Sequence, residues 1–182
     1  MSPARVHPTA EVEPGVVLGD DVAVWHHVHV RTGASIGSQT LLGKDVFVDE
    51  GVVVGARCKI QNGAQLYRGT VIGDGVFVGP RAVLANDRHP RAVTPSGELK
   101  SPDDWTIRPN RIGEGASIGA GAVVVGAEVG PWALVGAGAV VVHDVPSHGL
   151  ALGVPAVVVG EVCFCARPAV PRSPDCGWAP SA

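Results

Sequence analysis

The sequence predicts an all-β parallel β-helix, a solenoid of three-sided coils in which each side is a hexapeptide. Three observations predict it. First, every sixth residue from Val6 to Leu84 is aliphatic: Val6, Val12, Leu18, Val24, Val30, Ile36, Leu42, Val48, Val54, Ile60, Leu66, Ile72, Val78 and Leu84. Second, this period belongs neither to a helix nor to an ordinary strand, whose side chains return to one face at shorter intervals. It follows when one residue per side points into a core shared by stacked hexapeptides. Third, glycines recur at the spacing of three hexapeptides, which is one coil. Gly15, Gly33, Gly51 and Gly69 form one column, and Gly19, Gly37, Gly55 and Gly73 another.

Each side has its own logic. The fourth residue after an inward aliphatic is small or β-branched, as at Ala34, Thr40, Val52, Ala64 and Thr70, so Cys58 at that place is predicted to be a core residue. The glycine columns mark corners, where a positive φ suits glycine, and Asp21 and Asp45 hold equivalent corners. Successive coils should stack about 4.8 Å apart, as paired strands do. The rhythm stops after Leu84. Residues 85–111 are polar, rich in proline and contain Trp105. A loop of that length inside a regular solenoid is predicted to be functional or disordered. The rhythm resumes at Ile112, Ile118, Val123, Val129, Val135 and Val141, which places a one-residue shortening and a bulge between 118 and 123. Residues 145–156 close the solenoid. The expected organisation is one β-helix domain over 1–160 with the loop 85–111 inserted, then a Cys- and Pro-containing tail over 161–182.

Composition narrows the class. The chain has 182 residues, 46% hydrophobic but only 4% aromatic, so the core is built from Val, Ile, Leu and Ala. The net charge of −3 with both signs mixed argues against a nucleic-acid surface. The first residues hold no apolar run of signal-peptide length, and nowhere do about 18 apolar residues run together. A cytoplasmic protein without membrane contact is expected. Val17, Phe47, Val53, Val71, Phe77 and Val83 fall on outward or corner-flanking positions, an apolar stripe suited to a homo-oligomer. Cys163, Cys165 and Cys176 lack a fourth ligand at paired spacing, so no metal site is expected in the tail.

Stacking turns distant residues into neighbours. Trp25, Gly43, Gln61 and Gly79 share one column, and His26, Lys44, Asn62 and Pro80 the next. One corner thus gathers Trp25, His26, His27, Lys44, Gln61 and Asn62 within about 10 Å of rise. The adjoining corner stacks Thr32, Glu50, Arg68 and Asn86, with Tyr67 beside Arg68, and Asn86 opens the loop. The polar and aromatic groups are expected to converge near the loop as a pocket.

Several strings then resemble the left-handed β-helix hexapeptide-repeat acyltransferases, and more narrowly the N-acetyltransferases of nucleotide-linked 3-amino sugars. They are V-W-H-H-V-H-V (24–30), C-K-I-Q-N (58–62), V-F-V-G-P (76–80), N-D-R-H-P-R-A (86–92), V-G-A-G-A-V-V (135–141), D-V-P (144–146) and G-V-P-A (153–156). The resemblance covers residues 5–160 and implies a left hand for the solenoid. It implies a homotrimer with active sites between adjacent subunits, and acetyl-CoA as cosubstrate. The pantetheine arm would pass Ala120, Gly121, Ala137 and Gly138, and the adenine end would lie near Pro155. Asn86 would hold the sugar beside the thioester, and Asp87 or His89 would take the proton. Trp25, His26, Gln61 and Asn62 would line the sugar-nucleotide end, Lys44, Tyr67 and Arg68 would flank it, and Arg91 would reach a phosphate. No metal is implied.

Three other readings share the fold. An O-acetyltransferase would use a loop histidine as base. A γ-class carbonic anhydrase would need three zinc-bound histidines; His143 and His148 have the spacing of a pair, but Ile107 stands where the third would be. A non-catalytic hexapeptide scaffold would bind no coenzyme A.

Overall fold

The computed structural model describes residues 2–167 and is a left-handed parallel β-helix of about 8 turns. Short strands alternate with tight corners and stack into three sheets. The first sheet has nine strands, from Arg5–Val6 through Lys59–Ile60 to Leu134–Val135, closed by Gly149–Gly153 and Ala156–Glu161. The second has seven, from Glu11–Val12 to Val140–Val141, and the third has six, from Val17–Leu18 to Glu128–Val129. Pairing is parallel and in register at one coil per step: Arg5 faces Ala23, Ala23 faces Leu41, and Gln65 faces Val83.

The hexapeptide rhythm is the core. Ile36, Leu42, Ile60, Leu66, Ile72, Leu84 and Ile118 are fully enclosed, as are the corner residues Val22, Val28 and Val46. Each such aliphatic contributes about 1.5–3 kcal/mol over leaving it in water. Val6 is 43% exposed because the first coil has nothing stacked on its outer side. Cys58 is buried, with Sγ donating to the Gly73 carbonyl at 3.2 Å, and burial pushes its thiol up from the usual range.

The two glycine columns serve different ends. Gly15, Gly33, Gly51 and Gly69 have φ of 66–88°, as anticipated. Asp21 and Asp45 take the same left-handed conformation. Gly19, Gly37, Gly55 and Gly73 do not. Their requirement is proximity: a Cβ on any of them would sit within 2.5–2.8 Å of the next coil's backbone.

The bulge also lies elsewhere than between 118 and 123. Leu84 pairs with Val124, and Val124 is the buried residue, so the hexapeptide step from Ile118 is intact. The shortening falls after the strand Val123–Val125, where only Gly126 and Ala127 precede Glu128–Val129. The V-V-V run at 123–125 offered two registers, and pairing selects the later one. This shortened corner stacks directly on the loop. The strand Val83–Ala85 ends at the loop's start and Arg111–Ile112 begins beyond it, leaving 86–110 between strands.

Asn110 anchors the loop's exit. It is fully buried, its Nδ2 donates to the Ala85 carbonyl at 2.9 Å, and its Oδ1 accepts the Ala127 amide at 3.3 Å. Asn110→Leu strands the Ala127 amide, at about 1–3 kcal/mol for a group buried unpaired, while the Ala85 carbonyl loses one donor and keeps the Gly126 amide at 3.2 Å. A loss of about 1–3 kcal/mol is expected in urea unfolding; a change below about 0.5 kcal/mol would show that the stitch is idle.

The end of the solenoid differs from a plain tail. Gly149–Gly153 and Ala156–Glu161 form an antiparallel hairpin on the first sheet. Cys163 is buried, and the Phe164 ring meets Trp132 at 4.9 Å and His148 at 5.0 Å, edge-on in both cases. Cys176 lies outside the described residues. No helix of the described residues is long and apolar enough to cross a membrane. Among the described residues no three of His, Cys, Asp or Glu come together as metal ligands.

Candidate active site

The second corner, between the second and third sheets, carries a hydrogen-bonded ladder that climbs to the loop. The Glu13 carboxylate accepts the Thr32 amide at 2.8 Å and His29 Nε2 at 2.8 Å. The Thr32 amide, then His29, hold this carboxyl below the usual range. Arg31 Nη1 donates to Asp49 Oδ1 at 2.8 Å, and that bond raises the guanidinium pKa further. Asp49 also accepts the Glu50 and Arg68 amides, at 2.8 and 3.1 Å. The Arg68 carbonyl in turn accepts Asn86 Nδ2 at 3.0 Å. Stacking thus delivers the predicted column Thr32, Glu50, Arg68, Asn86, with Asn86 as its top rung. A parallel row of rings, His29, Phe47 and Tyr67, climbs beside it with centroid steps of 5.7 and 5.8 Å.

At the top of the ladder the loop roofs a pocket of about 630 Å³, lined by Asp49, Tyr67, Asn86, Asp87, Arg91 and Trp105 among others. A second hollow of about 430 Å³ shares Asp49, Asn86 and Trp105 and adds Arg31, Arg68 and Lys100. Sequence reasoning named Tyr67, Arg68, Asn86, Asp87 and Arg91 here but missed Asp49 and Trp105. Trp105 carried a signal: it is the loop's one large aromatic. Asp49 had none, since one acid among corner acids looks like any other. His89 stands apart. It is exposed, and its amide donates to Asp87 Oδ1 at 2.7 Å. It lines a separate hollow with Arg88 and Lys100 rather than the loop-roofed pocket.

The first corner, between the first and second sheets, holds the other predicted residues. Trp25, His26, Lys44 and Asn62 line a shallow pocket of about 370 Å³. Asn62 Oδ1 accepts the Lys44 amide at 3.0 Å, and the His26 ring stacks on His7 at 3.6 Å. Desolvation first, then the His26 and His27 charges, lower the His7 pKa. Gln61 is on the same corner, half-buried and outside that pocket. Farther along this ridge lie Ala120, Gly121, Ala137 and Gly138, all exposed. The Gly121 amide donates to the Pro80 carbonyl and the Gly138 amide to that of Ala120, which continues the stack. Open space surrounds the missing Cβ of both glycines. Pro155 sits at the exposed hairpin tip after a cis peptide bond.

The predicted residues therefore form two groups rather than one. One hexapeptide carries the chain to the next corner, and the outer face of the second sheet separates the two. Within one chain, Trp25 and His26 do not join the loop pocket.

Comparison with known proteins bears on family and fold. Residues 1–101 match the model of the GMPPB C-terminal domain, and residues 109–142 match the hexapeptide repeat of succinyl-transferase. No curated protein matches the chain. Among solved structures, the acetyltransferase domain of PglB from Neisseria gonorrhoeae, in complex with acetyl coenzyme A, is 24% identical. The match covers 86% of this chain and 58% of that one, with a TM-score of 0.53. WeeI from Acinetobacter baumannii is also 24% identical over 80% of this chain and 56% of its own, at TM-score 0.53. PerB from Caulobacter crescentus, in complex with CoA and GDP-perosamine, is 29% identical over 86% and 57%, at TM-score 0.45. The chain spans less than three fifths of the length of each. The likeness to PglB and WeeI is one of fold.

Proposed function

Because the chain belongs to the GMPPB C-terminal domain family, and because its hexapeptide rod carries a loop-roofed polar pocket, we propose that it is a CoA-dependent N-acetyltransferase. The donor is acetyl-CoA, the ligand named with the PglB domain. The acceptor is the amino group of a nucleotide-linked amino sugar; the family resemblance alone points to a 3-amino sugar carried on UDP or dTDP. The product would serve cell-surface glycan or glycosylated metabolite synthesis. Residues 1–160 act as the catalytic unit, onto which Glu161, Cys163 and Phe164 also pack.

The observation that carries this reading is the placement of Asn86 and Asp87 in the pocket wall beside Tyr67. Acyl transfer to an amine needs a neutral nitrogen held against the thioester. With Nδ2 committed to the Arg68 carbonyl, Asn86 Oδ1 is the atom that accepts an N–H from the sugar amine. The nitrogen lone pair attacks the thioester carbon, a C–N bond forms, and the carbonyl oxygen gains charge that backbone amides stabilise. Collapse breaks the C–S bond. The nitrogen loses one proton to Asp87, and the departing thiolate takes up a proton. Asp87 serves better than His89 as acceptor because it lines the pocket. Arg91 would reach a phosphate. Trp25, His26, Lys44, Gln61 and Asn62 would meet the nucleotide end, and Ala120, Gly121, Ala137, Gly138 and Pro155 the coenzyme. Since the loop pocket and that ridge lie on different corners, a homotrimer would complete each site between copies.

The test is thiol release from acetyl-CoA with a panel of UDP-, dTDP- and GDP-linked amino sugars. Turnover with one or more supports the reading, and none with any would sink it. If Asn86→Ala kept full activity while His89→Ala abolished it, acetylation of a hydroxyl by a histidine base would replace it.

A further inference from the structure

One firmly anchored side chain of the site lines no part of the loop-roofed pocket. Arg88 is half-buried between Asp87 and His89. Its Nε donates to the Val125 carbonyl at 3.0 Å, and its Nη2 donates to the Gly126 carbonyl at 2.9 Å and to the Val142 carbonyl. These three acceptors lie on the two coils that follow the loop. Both coils are short at this same corner. Gly126 and Ala127 alone separate Val123–Val125 from Glu128–Val129, and residues 142–144 separate Val140–Val141 from the bridge residue Val145. An ordinary corner is longer, as between His29–Val30 and Ser35–Ile36, where residues 31–34 intervene. The missing residues leave backbone carbonyls that the arginine caps.

The loop's exit closes the same arrangement. The Arg108 amide donates to the Asn86 carbonyl at 2.9 Å. A Cβ on Gly126 would lie 2.5 Å from Arg108 Cβ, so the shortened corner also makes room for the returning strand of the loop. The insertion on one coil and the deletions on the next two thus fit together, with the Arg88 guanidinium as the joint. A planar fork of five N–H donors suits carbonyls on two coils about 4.8 Å apart. An ammonium is a compact point charge and cannot span them.

We propose that Arg88 is the positioning residue of this site. It holds Asn86 and Asp87 in place by tethering their segment to the backbone of the two following coils, and it does not touch the acceptor sugar. The inference rests on the function proposed above, and the test separates the two. Arg88→Ala and Arg88→Lys are compared with the parent by amide hydrogen exchange and by kinetics. Exchange is expected to speed up at 86–92 and 106–110 in both variants, while 41–66 keeps parent protection. Turnover is expected to fall about 100-fold, the scale of an ångström-sized misplacement. KM for acetyl-CoA should change less than about 3-fold, and added methylguanidinium should restore part of the rate in Arg88→Ala. Parent-like exchange at 86–92 in both variants would overturn the proposal, as would parent-like turnover in Arg88→Lys. If Arg88→Ala does not fold, Arg88→Lys carries the same exchange comparison. Faster exchange at 86–92 with no acetyl transfer in the parent would uphold the tether and refute the proposed reaction.

Discussion

Asn86→Ala is expected to lower turnover about 100- to 1,000-fold, the usual loss when one well-placed polar group is removed from a transition state. The argument starts from the ladder. Asp49 holds the Arg68 amide, the Arg68 carbonyl holds Asn86 Nδ2, and the amide plane is thereby set before any ligand arrives. An oriented Oδ1 costs no reorganisation as the amine approaches. Alanine removes it and leaves the pocket otherwise open. The fold should tolerate the change, because the bond lost is partly exposed and worth about 0.5–1.5 kcal/mol. Steady-state kinetics with the acceptor found by the thiol-release panel, beside a melting curve, check both halves. A turnover within about 3-fold of the parent would remove Asn86 from the chemistry.

Gly55→Ala is expected to cost about 3 kcal/mol or more, the upper range for a clash in a close-packed region. Its Cβ would meet the Gly73 carbonyl carbon at 2.5 Å and Asp74 Oδ1 at 2.6 Å. That carbonyl belongs to the next coil, which is tied into all three sheets. The coils can make room only by stretching ladder hydrogen bonds. Gly51→Ala supplies the contrast. Gly51 has φ of 66° and nothing within 4 Å of its missing Cβ, so only the left-handed conformation is penalised, by about 1–2 kcal/mol. Urea unfolding of the two variants should rank them in that order. Equal losses would mean that close coil approach is not what the second glycine column provides.

These two glycines also show where sequence reading succeeds and where it stops. The coil-length spacing is visible in both columns, but positive φ and close approach select the same residue type, so only coordinates divide them. Inward residues such as Ile60 and Leu84 announce themselves by period alone. Val123 and Val124 do not, because a run of three valines satisfies either register and the Leu84 pairing decides it. The Arg68–Asn86 step was legible as stacking arithmetic. The two corners were legible as well, one hexapeptide apart; that their side chains do not meet in one pocket was not, because a column index fixes the corner and says nothing of how far side chains and loop reach across the sheet between. The hairpin at 149–161 lies beyond any hexapeptide reading, since its second strand runs antiparallel. Arg88 was silent for a simpler reason: an arginine inside a polar loop looks solvated until the carbonyls beneath it are seen.

The chain leaves the rod at Ala85 and returns at Arg111, yet Leu66, Leu84 and Val124 remain in line, one above another. The inward register passes through the interruption without a phase error. A change between 86 and 110 that spares the anchors Arg88 and Asn110 therefore carries no instruction to the core. In such an architecture recognition and foldability are separately editable, and a lineage can rewrite its chemistry at one corner while inheriting the rod intact.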